Sequence, residues 1–208
     1  MRLRYLSWAA VALLAMAISA AAGSVIAQEA RPVMQVLMVC GGCHNPDPGT
    51  LPAAEAQRIP RLGGQQSEYL RAALEGYRLR LRDHFYMRGM AAGLRGAELD
   101  AAVRYLSMPE AGAGRKRAPV APPPQAAQRC VACHGSSEQQ PATAQTPRLA
   151  GQHAAYIETA FLAYAQGARK QEVMGAQAKN ANGTLSLTEA ELAEVAAWFS
   201  RQNGLVPR

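Results

Sequence analysis

Between residues 189 and 202 the apolar side chains Leu192, Val195, Ala196 and Phe199 recur three and four positions apart, the period of a single helix face. Read in the same way, the chain predicts helices over Val33–Cys43, Ser67–Leu79, Ala97–Ser107, Gln125–Cys133, Ala154–Gln166 and Glu189–Gln202. Ser186 with Glu189 is a candidate capping box for the last of these. Strand-like alternation is absent, so the expected fold class is all-α.

One apolar stretch differs in kind. Tyr5 to Gln28 runs 24 residues without a charge, is rich in Ala, Leu and Val, and follows Arg2 and Arg4. With Val25-Ile26-Ala27 as the cleavage signal, residues 1–27 read as a secretory signal peptide and Gln28 as the first residue of the mature chain. The length also suits an uncleaved anchor, so membrane association stands as the alternative. The expected destination in either case is the periplasm.

The remainder is written twice. An offset of 87 lays Ile59-Pro60-Arg61-Leu62-Gly63-Gly64-Gln65 over Thr146-Pro147-Arg148-Leu149-Ala150-Gly151-Gln152 without a gap. In the same register Tyr69 falls on Tyr156, Tyr77 on Tyr164, Arg82 on Arg169 and Met87 on Met174. The second copy then gains six residues around Lys179 to Gly183, after which Leu99 matches Leu192 and Tyr105-Leu106-Ser107 matches Trp198-Phe199-Ser200. Repetition of this kind implies two copies of one structural unit. The units are expected over residues 28–110 and 125–208, joined by a proline-rich linker over 111–124 that contains Pro122-Pro123-Pro124. At the end of the chain, Leu205-Val206-Pro207-Arg208 matches either native sequence or the remnant of a cut thrombin linker.

Each unit opens on the same chemistry. Cys40-Gly41-Gly42-Cys43-His44 and Cys130-Val131-Ala132-Cys133-His134 use all four cysteines of the protein. Cysteines three apart on a helix project from one face, where both can form thioethers to one porphyrin edge, and the adjoining histidine then reaches the iron. Paired zinc motifs usually sit roughly 15–20 residues apart; here the separation is 90. The expected cofactors are therefore two covalent haem c groups, with Cys40, Cys43, Cys130 and Cys133 as attachment points and His44 and His134 as iron ligands.

Methionine on the opposite face of each iron would give a closed electron-transfer site. Met174 is the single methionine after Met108, and Met87 is its aligned counterpart, ahead of Met90. His84, three residues before Met87, is the rival for the first iron, with a solvated side chain as its plainer reading. His153 is expected to serve local structure. Pro60 and Pro147 lie 16 and 13 residues beyond the haem histidines, where a carbonyl can accept the imidazole N–H; the alternative is a loop proline before a helix. Arg61 and Arg148 beside them are candidate propionate partners. Tyr105 and Trp198 are expected to pack in the core.

Charge adds little to this. Removing residues 1–27 takes away two arginines and no acid, lowering the formal charge from +7 to +5, and up to four haem propionates would leave about +1. The basic composition is thus no argument for nucleic acid, and no aromatic-basic interleaving supports it. The positive field belongs to the first half, where Arg78, Arg80, Arg82 and Arg88 surround the first methionine as a candidate docking face, or as an ordinary solvated surface.

Two Cys-x-x-Cys-His units, each followed by Pro-x-Leu-[Gly/Ala]-Gly-Gln and then by a methionine, resemble the cytochrome c4 family over nearly the whole mature chain. Met87-Arg88-Gly89-Met90-Ala91-Ala92-Gly93-Leu94 is similar to that family's pattern around the axial ligand. The resemblance implies two tandem class I cytochrome c domains related by pseudo-twofold symmetry, haems near their interface, and electron delivery from a bc1-type or other quinol-linked donor to a haem-copper terminal oxidase. The longer second methionine loop and the proline-rich, basic linker depart from the pattern. A cytochrome subunit of a dehydrogenase complex, such as flavocytochrome c sulfide dehydrogenase, is the alternative. A di-haem enzyme would need an open iron or a spare ligand, and no catalytic constellation of base and nucleophile stands out.

Overall fold

The computed structural model describes residue 34 and residues 38–45, 49–108 and 121–205. The predicted signal peptide and the basic trio Arg115-Lys116-Arg117 lie outside them. The first unit contains α1 (38–44), α2 (Ala53–Ala56), α3 (Ser67–Arg78), α4 (Phe85–Gly93) and α5 (Gly96–Ser107). The second contains α6 (Gln125–His134), α7 (Ala154–Ala165), α8 (Glu172–Ala178) and α9 (Glu189–Arg201). Among the described residues, isolated bridges pair Arg82 with Arg169 and Lys179 with Leu185.

The two cores repeat residue by residue. Leu70, Leu99, Ala102, Val103 and Leu106 form the first, and Ile157, Leu192, Val195, Ala196 and Phe199 occupy the aligned positions in the second. Ala102-Val103 becomes Val195-Ala196, which conserves volume, the kind of exchange a close-packed core tolerates. Phe199 is fully buried, and burial of such a side chain contributes about 1.5–3 kcal/mol. Trp198 packs in the same cluster, as expected, and its indole N–H donates to the Ala121 carbonyl at 2.8 Å, tying the end of the linker to the second unit.

Two local expectations need correction. The capping box of α9 is Thr188 with Glu191, two residues on from Ser186 and Glu189; the Thr188 hydroxyl accepts from the Glu191 N–H, and the Glu191 carboxylate accepts from the Thr188 N–H. Ser186 instead donates to the Gln177 carbonyl at 2.5 Å. The methionine loops are helices, α4 and α8, hard to foresee because both are short and each carries glycine. The six extra residues of the second unit follow α8 as a closed turn, with Asn180 and Thr184 bonded across its neck. At the C-terminal end Leu205 is 2% exposed and its N–H donates to Ala150 at 2.8 Å, so this residue is part of the fold. Among the described residues no helix is long and apolar enough to cross a membrane.

Candidate haem-binding sites

Helices α1 and α6 carry the cysteine pairs, with Cys40 and Cys130 half-buried and Cys43 and Cys133 exposed. Burial pushes the Cys40 and Cys130 thiols up. The histidines that close these helices make one shared contact. Nδ1 of His44 lies 2.8 Å from the Pro60 carbonyl oxygen, and Nδ1 of His134 lies 2.8 Å from that of Pro147. A carbonyl only accepts, so Nδ1 carries the proton and Nε2 presents its lone pair. Burial holds both imidazoles below the usual histidine range, against the prolyl carbonyls, which favour protonation; His84 adds to the lowering at His44. Both rings are therefore neutral near pH 7, the state in which histidine binds a metal.

Met87 and Met174 are each the third residue of a helix, and both are half-buried. The residues capping those helices are aligned as well. His84 accepts from the Met87 N–H through Nδ1 at 3.4 Å, and Gln171 accepts from the Met174 N–H through Oε1 at 2.6 Å. The structure thus puts His84 in the position its twin fills with glutamine, as a helix cap. Met90 is 47% exposed.

The repeated Pro-Arg-Leu-x-Gly-Gln turn does a second job that sequence reasoning missed. Gly64 and Gly151 take φ of 79° and 78°, which bends each turn so that the following glutamine crosses to the other unit. Gln65 accepts from the Arg148 N–H at 2.8 Å and donates to its carbonyl at 3.1 Å. Gln152 accepts from the Arg61 N–H at 2.9 Å and donates to its carbonyl at 3.0 Å. Both glutamines are almost fully buried, at 4% and 3% exposure. The arginine side chains part company: the Arg61 guanidinium donates to the Gly151 carbonyl at 2.7 Å, whereas that of Arg148 reaches Gln140 within its own unit.

A second layer of the same interface lies between α3 and α7. The Asp83 N–H donates to Ala168 at 2.8 Å and the Lys170 N–H to Leu81 at 2.7 Å, a reciprocal bridge about the local twofold. Arg82 donates to the Tyr69 hydroxyl at 3.3 Å and Arg169 to that of Tyr156 at 3.2 Å. Each guanidinium also covers two rings, at 5.2 and 5.8 Å for Arg82 and 5.3 and 5.8 Å for Arg169. Arg82 is therefore an interface residue and not part of an exposed docking cluster. Burial alone would raise the Tyr69 hydroxyl, but Arg82 and Arg169 hold it below the usual tyrosine range, while burial and its neighbour Tyr69 push Tyr156 up. Every member of this cluster was visible as an aligned pair; its meeting at the axis was not.

The residues fit haem c: two thiols on one helix face, a neutral imidazole with its lone pair directed by a carbonyl, and an aligned methionine, in each of two units. Such a donor set on an all-helical frame defines a c-type cytochrome with two haems.

Comparison with known proteins agrees. The cytochrome c family model matches residues 124–202. A thiosulfate dehydrogenase electron acceptor from Stutzerimonas stutzeri is 32% identical over 179 residues, 78% of each chain. Cytochrome c4 from Acidithiobacillus ferrooxidans superposes with a TM-score of 0.57 at 28% identity, over 70% of this chain and 89% of that one. The thiosulfate dehydrogenase of Marichromatium purpuratum superposes with a TM-score of 0.59 at 29% identity, over 78% of this chain and 36% of that one. The chain belongs to the cytochrome c4 family of di-haem c-type cytochromes, with two class I cytochrome domains, two covalent haem c groups and a role in electron transfer.

Proposed function

We propose that the protein is a periplasmic electron carrier that takes electrons from a bc1-type or other quinol-linked donor and passes them to a haem-copper terminal oxidase. In this reading residues 1–27 are removed on export, 28–110 and 125–208 are the two haem domains, and 111–124 joins them. Cys40 and Cys43 attach the first haem and Cys130 and Cys133 the second. His44 and Met87 ligate one iron, and His134 and Met174 the other.

The observation that carries the reading is the matched pair of histidines, each fixed by a prolyl carbonyl at 2.8 Å, on turns that also lock the two units together. Haem c, when bound, supplies a one-electron iron couple. The prolyl carbonyls orient the histidines and raise their basicity. With Met87 and Met174 as further ligands the irons would leave no place for a substrate, which favours a carrier over a catalyst. Arg61 and Arg148 combine any propionate contact with the hydrogen bonds already described. The reciprocal interface fixes the spacing between the two sites, the structural requirement for rapid exchange within one chain.

A second reading makes the same carrier the electron acceptor of a thiosulfate dehydrogenase. It is favoured by the relative of that name and by the likeness to the thiosulfate dehydrogenase structure. It gives specific form to the dehydrogenase-subunit alternative drawn from the sequence. The two are separated by adding the reduced protein to membranes containing a haem-copper oxidase, and the oxidised protein to thiosulfate with its dehydrogenase. Oxygen uptake in the first assay supports the oxidase route. Haem reduction in the second without oxygen uptake in the first overturns it in favour of the dehydrogenase.

A further inference from the structure

The first methionine helix presents a face that its twin lacks. Phe85 and Tyr86 on α4 are 77% and 74% exposed, and with Met90, Arg78, Arg80 and Arg88 they line an open cleft of about 500 Å³. The six equivalent positions of the second unit are Glu172, Val173, Gln177, Ala165, Gly167 and Gly175. Three cations and two aromatic rings are thus replaced by no cation, no ring and one acid. Two units that agree residue by residue in their cores and at their shared interface diverge here.

Backbone strain singles out the same face. Arg80 holds φ of 58°, while Gly167 fills the matching position at 76°. Arg80 follows the C-cap of α3, where the Leu81 N–H bonds to Gly76 at 2.8 Å and the Arg80 N–H to Tyr77 at 3.3 Å. Glycine is the favoured residue at this point of such a turn. A side chain in the left-handed region at an exposed site, where the twin unit uses glycine, points to a use for the charge rather than for the fold.

We propose that the α4 face and the α3–α4 turn form the docking site for an acidic redox partner protein. Its carboxylates meet Arg78, Arg80 and Arg88, and its apolar centre covers Phe85, Tyr86 and Met90. An aromatic and methionine centre ringed by cations is the anatomy of a protein interface. Asp83, 3.6 Å from Arg88, reduces the positive field of the rim without cancelling its three charges. Met87 lies on the same helix, so a partner seated here is next to the first haem site, which becomes the port through which this partner exchanges electrons. The proposal rests on the reading of the protein as an electron carrier.

The test is stopped-flow electron transfer from the reduced holoprotein to a small acidic blue-copper protein, plastocyanin, across a range of ionic strength. A small cationic cobalt(III) tris-phenanthroline complex serves as the control oxidant. Arg78→Ala/Arg80→Gly/Arg88→Ala is expected to slow reaction with plastocyanin at least about tenfold at low salt and to flatten its salt dependence. The same variant should react with the cobalt complex no more slowly than the native protein, and Glu172→Gln in the second unit should leave the plastocyanin rate unchanged. Equal plastocyanin rates and salt slopes for the native and triple-variant proteins, with both active toward cobalt, overturn the docking face alone. A native protein that reduces neither oxidant overturns the carrier reading beneath it.

Discussion

Gln65 in the first unit and Arg148 in the second exchange two hydrogen bonds through the side-chain amide of one and the backbone of the other. Gln152 and Arg61 repeat the exchange about the local twofold. Each arginine directly follows the proline whose carbonyl holds a haem histidine, so the contact that joins the units is one residue from the contact that orients the ligand.

Gln65→Ala strands the N–H and carbonyl of Arg148 inside the interface. An unsatisfied buried polar group costs about 1–3 kcal/mol. The expected outcome is a loss of about that size in urea unfolding, with the two units no longer melting together. Unchanged stability and a single transition would refute this role.

Tyr69 and Tyr156, between two arginines, should not titrate as a pair of ordinary tyrosines. Ultraviolet difference titration of the holoprotein is expected to find one hydroxyl ionising below the usual tyrosine range and one above it. Tyr69→Phe should abolish the low step and lower stability by about 1 kcal/mol through loss of the bond to Arg82. A native titration in which all tyrosines ionise together near their ordinary value contradicts the cluster's electrostatics.

His153 stands where the first unit has Gln66, at the start of α7, and burial together with Arg61 brings its pKa down to about 4. The unfolded chain, at about 6.5, therefore binds a proton that the folded state resists. Stability contributed by this site is complete above pH 6.5 and declines as pH falls toward 4. His153→Gln should remove that part of the slope, as read from urea midpoints at neutral and mildly acidic pH. An identical slope in the variant refutes the assignment.

Arg80→Gly should stabilise the protein by roughly 0.5–1 kcal/mol by relieving a left-handed arginine. Thermal unfolding of the variant measures it. A destabilised variant would show that the Arg80 side chain supports the fold.

Much of this was legible in the sequence because the chain is written twice. The predicted helix Ser67–Leu79 appears as Ser67–Arg78, and Glu189–Gln202 as Glu189–Arg201, since each has enough turns for its apolar period to stand out. The spacing of Pro60 and Pro147 offered a carbonyl partner for each histidine and a plain loop proline as equal readings, and the carbonyl contact is made in both units. The interface was not foreseen, because alignment shows that Gln65 equals Gln152 and says nothing of whether the two copies touch. Short helices with internal glycine, such as α8, leave no period to read. The capping role of His84 was not legible, because its partner, the Met87 N–H, is a backbone group that no side-chain pattern reveals.

In the proposed carrier Met87 and Met174 close two irons held by His44 and His134. The most direct test is the far-red absorption of the oxidised protein with haem quantified, where methionine-to-iron charge transfer counts such sites. Two per chain, falling to one in Met87→Ala and to one in Met174→Ala, is the predicted result. One or none in the native protein, or high-spin iron at either site, would contradict it.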